Sequence, residues 1–385
     1  EGRGARGEGR GPAFTHDVMG MHAMQLPVDR YAVVEGLRLR YWLEGEDGPH
    51  LVLIHGIGGS VDVWRKQFEQ LPRTHRVLAL DLPGCGCSAI PIAYPFDTLR
   101  ILATAVRGLM QQVGMEQATL IGSSLGGAVT VEFAMRWPEL VASLVLIGPA
   151  GMTHKVAWPL RLMSVRGVGE LLTHPDRART AQAIRQCVAD PAAVTESDID
   201  RAFVMANLPG AQAAFLRLLR VYAGLRGIDR RELLRLQAGM RTIHAPVLVV
   251  WGAQDRILPI SAAANARVHL PNAGLVIRPQ RGHLVFVEEP EMFGQMVAEF
   301  VRAPDQVLAR SNTALPAPQA PARQFLNQLR AMRLAFIASR LPRRTGVAAS
   351  AGMLLLFAFQ YSRQRQDQGK SPLHDCHPSN CQPKL

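Results

Sequence analysis

Residues 118–127 read ATLIGSSLGG, and this stretch decides the fold. An apolar run suited to a buried strand leads into Gly122-Ser123-Ser124-Leu125-Gly126, and helical apolar spacing follows directly. In that setting a G-x-S-x-G pattern predicts a serine on a strained strand-to-helix turn, which needs small residues two positions to either side. Such a turn lifts the hydroxyl to the carboxyl edge of a sheet, where ligands of α/β proteins bind. We therefore predict that Ser124 is a nucleophile.

Short apolar runs recur on both sides of this turn. A strand pair is predicted at residues 31–35 and 37–43, turning at Gly36. Continuous runs of Val, Ile and Leu follow at residues 50–55, 76–81, 118–122, 143–148, 246–252 and 275–278, with helical spacing at 61–71, 97–113 and 125–136. Strands buried on both faces and separated by helices predict an α/β class with a mostly parallel, doubly wound sheet.

The alternation of strands and helices stops between residues 151 and 243. That segment predicts only helices, at residues 160–172, 176–188, 195–208 and 211–225. We expect an all-helical cap inserted after the sixth strand. The predicted core then consists of residues 25–150 and 244–303, preceded by a leader at 1–24 that is disordered or not native. A basic C-terminal extension occupies 304–385.

A serine hydroxyl needs a base to take its proton, and histidine suits that role near neutral pH. His283 is selected among twelve histidines because it follows the last predicted strand and is preceded by Gly282, which permits a tight loop. An orienting acid is expected at a strand end between serine and histidine, and Asp255 fits. The chain order Ser, Asp, His is the one that accompanies a G-x-S-x-G serine turn.

An oxyanion site needs two backbone N–H groups aimed at developing negative charge. Leu125, directly after the predicted nucleophile, supplies one, and the loop His55-Gly56-Ile57-Gly58-Gly59 supplies the other through Ile57. We expect Gly56, Gly58 and Ser123 to contact the substrate, and His55 to be structural. Apolar cap positions expected to line an acyl or aryl pocket, or to serve in helix packing, are Trp158, Leu162, Phe203, Leu208, Phe215 and Leu219.

The net charge of +12 over 385 residues is not evidence for nucleic-acid binding. Residues 310–385 hold eleven Lys or Arg and two acids, so most of the excess lies in the tail. Within the tail, residues 323–341 read as a basic amphipathic helix and 347–359 as an apolar run that is short for a membrane span. The favoured interpretation is a helix packed on the body or a partly disordered extension, and weak contact with a membrane surface is the alternative hypothesis. Five scattered cysteines do not form a disulfide framework, so a cytoplasmic location is expected, with peripheral membrane contact as an option.

Two cysteine-containing patterns are poor candidates for a metal site. Cys85-Gly86-Cys87 has no third ligand nearby, and the C-terminal group of His374, Cys376, His377 and Cys381 has no surrounding structure. We predict no metal and no cofactor. The oligomeric state is not readable from the sequence.

The combined motifs resemble the α/β-hydrolase superfamily. HGIGG at 55–59, DLPG at 81–84, GSSLGG at 122–127, WGAQD at 251–255 and GH at 282–283 match its landmarks over about residues 30–302. The resemblance implies the α/β-hydrolase fold and a triad of Ser124, Asp255 and His283. It looks closest to bacterial carboxylesterases and lipases with a helical cap, which implies hydrolysis of a small-molecule carboxylic ester.

Two alternatives to an ester hydrolase stay open. The first is a meta-cleavage-product type C–C hydrolase on the same triad, although that group usually has Asn before the nucleophile and an aromatic residue after the histidine, where this chain has Ser123 and Leu284. The second is a catalytically idle binding protein that keeps the fold.

Overall fold

The computed structural model describes residues 26–91, 99–270 and 272–311. Within them an eight-stranded sheet runs in the order β1-β2-β4-β3-β5-β6-β9-β10, and β7 pairs with β8 apart from it. The strands are β1 Arg30–Val34, β2 Leu37–Glu44, β3 His50–Ile54, β4 Arg76–Leu80, β5 Ala118–Ser123, β6 Val141–Ile147, β7 Ala223–Gly224, β8 Gly227–Ile228, β9 Val247–Gly252 and β10 Ala273–Arg278. From β4 to β10 the neighbours pair in parallel, whereas β2 is antiparallel to both β1 and β4.

Helices cover both faces of the large sheet. Along β3, Leu51 and Leu53 pack into one buried apolar cluster, while Val52 and Ile54 pack into another on the opposite face. This explains why the strand sequences read as unbroken apolar runs rather than alternating ones. The core helices before β6 are α1 Arg65–Phe68, α2 Leu99–Gln112 and α3 Leu125–Arg136.

The segment between β6 and β9 carries six helices within the described residues: α4 Trp158–Met163, α5 Val168–Leu172, α6 Arg177–Gln186, α7 Glu196–Ala206, α8 Ala211–Tyr222 and α9 Arg230–Met240. We call residues 151–243 the cap segment. The expectation that it is all-helical is wrong in one place, because β7 and β8 form a two-residue hairpin. A Cβ on Gly227 would lie 2.0 Å from the carbonyl oxygen of His154, so glycine permits this close approach.

Two further predictions about helices need correction. The helix predicted at 160–172 is two helices, because Gly167 between them adopts a φ of 81° that interrupts helical geometry. Helix α9 was not predicted at all, although its buried residues Leu233, Leu236 and Met240 follow helical spacing. Its charged residues obscured that signal.

After β9 come α10 Ala263–His269, α11 Val285–Glu288, α12 Pro290–Arg302 and α13 Pro304–Arg310. Helix α13 corrects the predicted core boundary at residue 303. Val307 is buried in the core, and the N–H of Leu275 in β10 donates to the carbonyl oxygen of Ser311 at 2.6 Å. The packed core therefore continues to residue 311.

No single helix among the described residues is long and apolar enough to cross a membrane, although α7 and α8, bent by 88° at their junction, pass the same length and composition test as a pair. The predicted membrane-contact region at 323–359 and the leader at 1–24 lie outside the described residues.

Candidate active site

Ser124 occupies the turn between β5 and α3 with a φ of 55° and a ψ of −117°. A non-glycine residue rarely adopts a positive φ, so this backbone is strained. Close packing requires the flanking glycines: a Cβ on Gly122 would lie 2.3 Å from Thr130 Oγ1, and a Cβ on Gly126 would lie 2.2 Å from the carbonyl oxygen of Ile54. The side chain of Ser124 is only partly buried, as a reactive hydroxyl requires.

Asp255 and His283 form a buried pair at the ends of β9 and β10. His283 Nδ1 lies 2.7 Å from Asp255 Oδ2, and the side chains are 4% and 0% exposed. The other carboxylate oxygen, Oδ1, accepts hydrogen bonds from the N–H groups of Ile257 at 2.8 Å and Leu258 at 2.9 Å. These bonds fix the carboxylate, which in turn fixes the imidazole with its proton on Nδ1.

The serine lies beside this pair. The N–H of Ser124 donates to the carbonyl oxygen of Ile147 at 2.9 Å, and the next residue, Gly148, packs against the acid–base pair. A Cβ on Gly148 would lie 3.0 Å from His283 Nδ1 and 3.2 Å from Asp255 Oδ2. The structure thus places the three residues predicted as a triad at the same edge of the sheet, with Gly148 packed between the turn and the acid–base pair. His283 Nε2 is buried and makes no hydrogen bond within the described ranges, so it has a lone pair to offer.

The loop after β3 lies against the serine. A Cβ on Gly56 would lie 3.0 Å from Ser124 Cβ and 3.7 Å from its Oγ, so the absence of a side chain keeps the loop close to the hydroxyl. The N–H of Ile57 makes no hydrogen bond to any described group. The N–H of Leu125 lies in the first turn of α3, where helical N–H groups have no partner within the helix. Both predicted oxyanion donors are therefore available.

His55 is held by backbone groups on both ring nitrogens. Nδ1 donates to the carbonyl oxygen of Gly56 at 2.7 Å, and Nε2 accepts from the N–H of Leu82 at 3.0 Å. Burial lowers the pKa of His55 to about 4, so the ring is neutral near pH 7. These contacts support the structural role that the sequence suggested.

A buried charge network beneath the site was not predicted from the sequence. Asp81, after β4, accepts from the N–H groups of Val61 at 2.6 Å and Cys87 at 2.8 Å, and it lies 3.4 Å from Arg40 Nη1. Arg40 also contacts Asp62 at 2.9 Å. The network ties the loop after β3 to the loop after β4, which is a reason for the DLPG motif that sequence reasoning did not supply.

The cap segment covers the oxyanion loop through one aromatic side chain. A Cβ on Gly58, which has a φ of 70°, would lie 3.0 Å from the ring of Phe215 in α8. Gly58 is therefore needed both for its backbone and for the ring above it. Of the other apolar cap positions, Leu219 is 3% exposed and lies within the core, whereas Trp158 is 48% exposed.

Ser123, expected to contact the substrate, is 1% exposed, and its Oγ has no hydrogen-bond partner among the described residues. No group of three His, Cys, Asp or Glu in the described ranges could hold a metal ion. Cys85 is buried, which raises the pKa of its thiol to about 12. The C-terminal group of two histidines and two cysteines lies outside the described residues.

Comparison with known proteins agrees with this geometry. A family model described as alpha/beta hydrolase fold matches residues 49–179. A protein of Pseudomonas savastanoi pv. phaseolicola, provisionally named a carbamate hydrolase, is 31% identical over 260 residues, which are 67% of this chain and 95% of the relative.

Two solved structures are similar over most of the described core. A membrane phospholipase A described as a bacterial virulence factor is 29% identical with a TM-score of 0.59, covering 72% of this chain and 87% of its own. The 2-hydroxy-6-oxo-6-phenylhexa-2,4-dienoate hydrolase of Rhodococcus sp. strain RHA1 is 26% identical with a TM-score of 0.61, covering 72% and 99%. The strained serine, the sheet order and these similarities agree, and the chain belongs to the alpha/beta hydrolase superfamily.

Proposed function

We propose that this hydrolase cleaves carboxylic esters through an acyl-enzyme on Ser124. The observation that carries the proposal is the state of His283. Its Nδ1 lies 2.7 Å from the buried Asp255 carboxylate, and its Nε2 is buried without a hydrogen-bond partner among the described residues, at the sheet edge that also carries Ser124 on its strained turn. This is the arrangement in which an imidazole accepts a serine proton and the carboxylate stabilises the resulting imidazolium.

The reaction proceeds in two balanced halves. Ser124 Oγ attacks the ester carbonyl carbon while His283 Nε2 takes its proton, and the N–H groups of Ile57 and Leu125 donate to the oxyanion. When the C–O bond breaks, His283 returns the proton to the leaving alcohol. Water then attacks the acyl-enzyme, gives a proton to His283 and releases the carboxylic acid with the serine restored.

The substrate is proposed to be apolar next to the scissile bond. Phe215 lies over Gly58 beside the predicted oxyanion donors, so an acyl or aryl group bound there would contact an aromatic ring. A membrane phospholipase A among the similar structures is named for an activity on lipids, which supports an ester as the bond cleaved. A cofactor has no step in this scheme.

The test is hydrolysis of p-nitrophenyl esters from acetate to palmitate by the wild type, Ser124→Ala and Ser143→Ala. Ser143 is a buried serine of β6 that pairs with Thr119, near the end of β5 opposite Ser124. We expect activity in the wild type, loss of at least about 10³-fold in Ser124→Ala because no nucleophile remains, and retention of most activity in the matched control Ser143→Ala. A fluorophosphonate probe should label only proteins that keep Ser124. A wild type that is neither active nor labelled would instead favour the idle binding protein.

A second candidate is hydrolysis of a C–C bond next to a ketone, favoured by the similarity to the dienoate hydrolase. The same serine would attack a ketone carbonyl, and the carbon leaving group would depart as an enolate that is then protonated. Ser123 and Leu284 depart from the Asn and aromatic residue usual in that group, so we rank this candidate second. Labelling of Ser124 with no ester hydrolysis, and turnover of a dienoic diketone, would place it first.

A further inference from the structure

Glu288, the last residue of α11, binds two separate segments with one carboxylate. Oε2 accepts from the N–H of Gly282 at 2.6 Å, in the residue before His283. Oε1 accepts from the N–H groups of Ala189 at 2.9 Å and Asp190 at 3.1 Å, which follow α6 in the cap segment. Hydrogen bonds to an ionised carboxylate are stronger than those between neutral groups, so Glu288 links the two segments strongly.

A second set of contacts connects the histidine loop and the cap segment directly. The carbonyl oxygen of Cys187 accepts from the N–H groups of His283 at 2.8 Å and Leu284 at 3.1 Å. The backbones are in contact as well, because a Cβ on Gly282 would lie 2.7 Å from both Ala189 N and Val188 C. The loop that carries the histidine therefore has residues 187–190 of the cap segment as its immediate support.

We propose that Glu288 is a positioning residue for His283, and that it makes the alignment of the histidine depend on docking of residues 187–190. Glu288 does not touch the predicted nucleophile or its acid partner. It holds the backbone on one side of His283, and Cys187 holds the other. If residues 187–190 move away, the Cys187 contacts are lost, and so are the bonds from Ala189 and Asp190 that fix the Glu288 carboxylate on Gly282. His283 and Asp255 are thus correctly aligned only while residues 187–190 of the cap segment are docked against the histidine loop.

The inference rests on the proposed role of His283 and deepens it. Other bonds hold the same cap region to the core without involving the histidine loop: Arg65 Nε lies 2.6 Å from Asp198 Oδ1, and Lys66 Nζ donates to the carbonyl oxygen of Ala193 at 3.2 Å. Because those contacts remain when Glu288 is changed, the substitution should weaken only the attachment of the histidine loop to residues 187–190 and leave the fold in place.

The experiment compares Glu288→Gln with Glu289→Gln. Glu289 is the adjacent residue, and its substitution makes the same change of charge. Glu289 pairs with Arg278 and with Arg281 of the histidine loop, so Glu289→Gln removes a carboxylate contact to that loop without removing a bond to the cap segment. We expect Glu288→Gln to lower kcat for the best p-nitrophenyl ester about 10- to 100-fold with KM within about 3-fold, as for a misaligned group. The control should stay within about 3-fold of the wild type.

Two further readouts separate positioning from a general loss of structure. In Glu288→Gln, amide hydrogen exchange should accelerate in peptides containing residues 189–190 and 282 but not in the strands of the sheet. The low-field proton resonance of the bond from His283 Nδ1 to Asp255 should weaken or disappear while thermal unfolding stays close to that of the wild type. If Glu288→Gln does not fold, Glu288→Asp keeps the charge with a shorter reach and is expected to show the same effects in smaller measure.

Full kcat in Glu288→Gln, or an equal loss in Glu289→Gln, would overturn the proposal while leaving the hydrolase function standing. An inactive and unlabelled wild type would instead be a failure of the proposed function, so the two failures are distinguishable.

Discussion

Replacing Asp255 by Asn is expected to remove most of the activity by forcing the wrong tautomer on His283. The carboxylate accepts three N–H groups, two on Oδ1 from Ile257 and Leu258 and one on Oδ2 from His283. An amide has one oxygen. If its NH₂ faced the two backbone N–H groups, two buried donors would be unsatisfied at about 1–3 kcal/mol each. The amide oxygen therefore stays on Ile257 and Leu258.

The NH₂ group of the new side chain then faces His283 Nδ1, which must accept a hydrogen bond. The ring proton moves to Nε2, and that nitrogen can no longer take the proton of Ser124. We expect kcat to fall about 10⁴-fold, or about 5 kcal/mol in activation free energy, while the free energy of unfolding changes by about 1 kcal/mol because both Oδ1 bonds persist.

The assay is steady-state hydrolysis of the best p-nitrophenyl ester, with denaturant unfolding of the same samples. Asp198→Asn is the matched control, since it makes the same substitution in a cap acid that pairs with Arg65 and touches none of the triad. The reasoning is refuted if Asp255→Asn keeps more than about a tenth of the wild-type kcat, or if Asp198→Asn loses as much.

Three other outcomes are expected. His55 has a pKa of about 4 when folded and about 6.5 when exposed, so unfolding takes up a proton between these values. The free energy of unfolding should fall by up to about 3 kcal/mol as pH drops from 7 to 4, and urea titrations of wild type and His55→Asn should show a smaller pH slope in the variant. Gly86→Ala should lower the free energy of unfolding by about 2 kcal/mol or more, because the φ of Gly86 is 52° and a Cβ would lie 2.1 Å from Asp81 Oδ2. Gly36→Ala is the control, since Gly36 has a φ of 75° but nothing within 4 Å of a Cβ, and it should cost about 1 kcal/mol. Thermal unfolding of both variants tests the difference. Full-length protein should co-sediment with anionic liposomes more than a form ending at residue 311 if the region 323–359 contacts membranes, and equal sedimentation contradicts that expectation.

Prediction from the sequence succeeded where a segment is defined by its own pattern. The predicted strands of the sheet lie within three residues of the observed ends, because strands buried on both faces show themselves as unbroken apolar runs such as residues 50–54. Helix α3 was predicted with its observed bounds, since the turn at Ser124 fixes where it begins. The choice of Ser124, Asp255 and His283 also came from local motifs and chain order, and their role as a triad stays a prediction.

Prediction failed where contacts between distant segments decide the structure. The hairpin β7–β8 is two residues per strand and forms against the backbone of His154, which no local pattern reveals. Helix α13 is placed by its packing on β10. The support of the histidine loop by Glu288 joins residues about a hundred positions apart.

The sequence by itself therefore determined the positions of the strands along the chain, the strained serine turn and the types of chemical group available. These depend on periodicity and on glycines at fixed spacing. Only the tertiary structure decided that Ser124, Asp255 and His283 lie at one edge of the sheet, that Phe215 covers Gly58, and that Glu288 joins the cap segment to the loop of His283. The physical reason is that hydrogen bonds and burial act through space, whereas a single sequence displays only what is near along the chain.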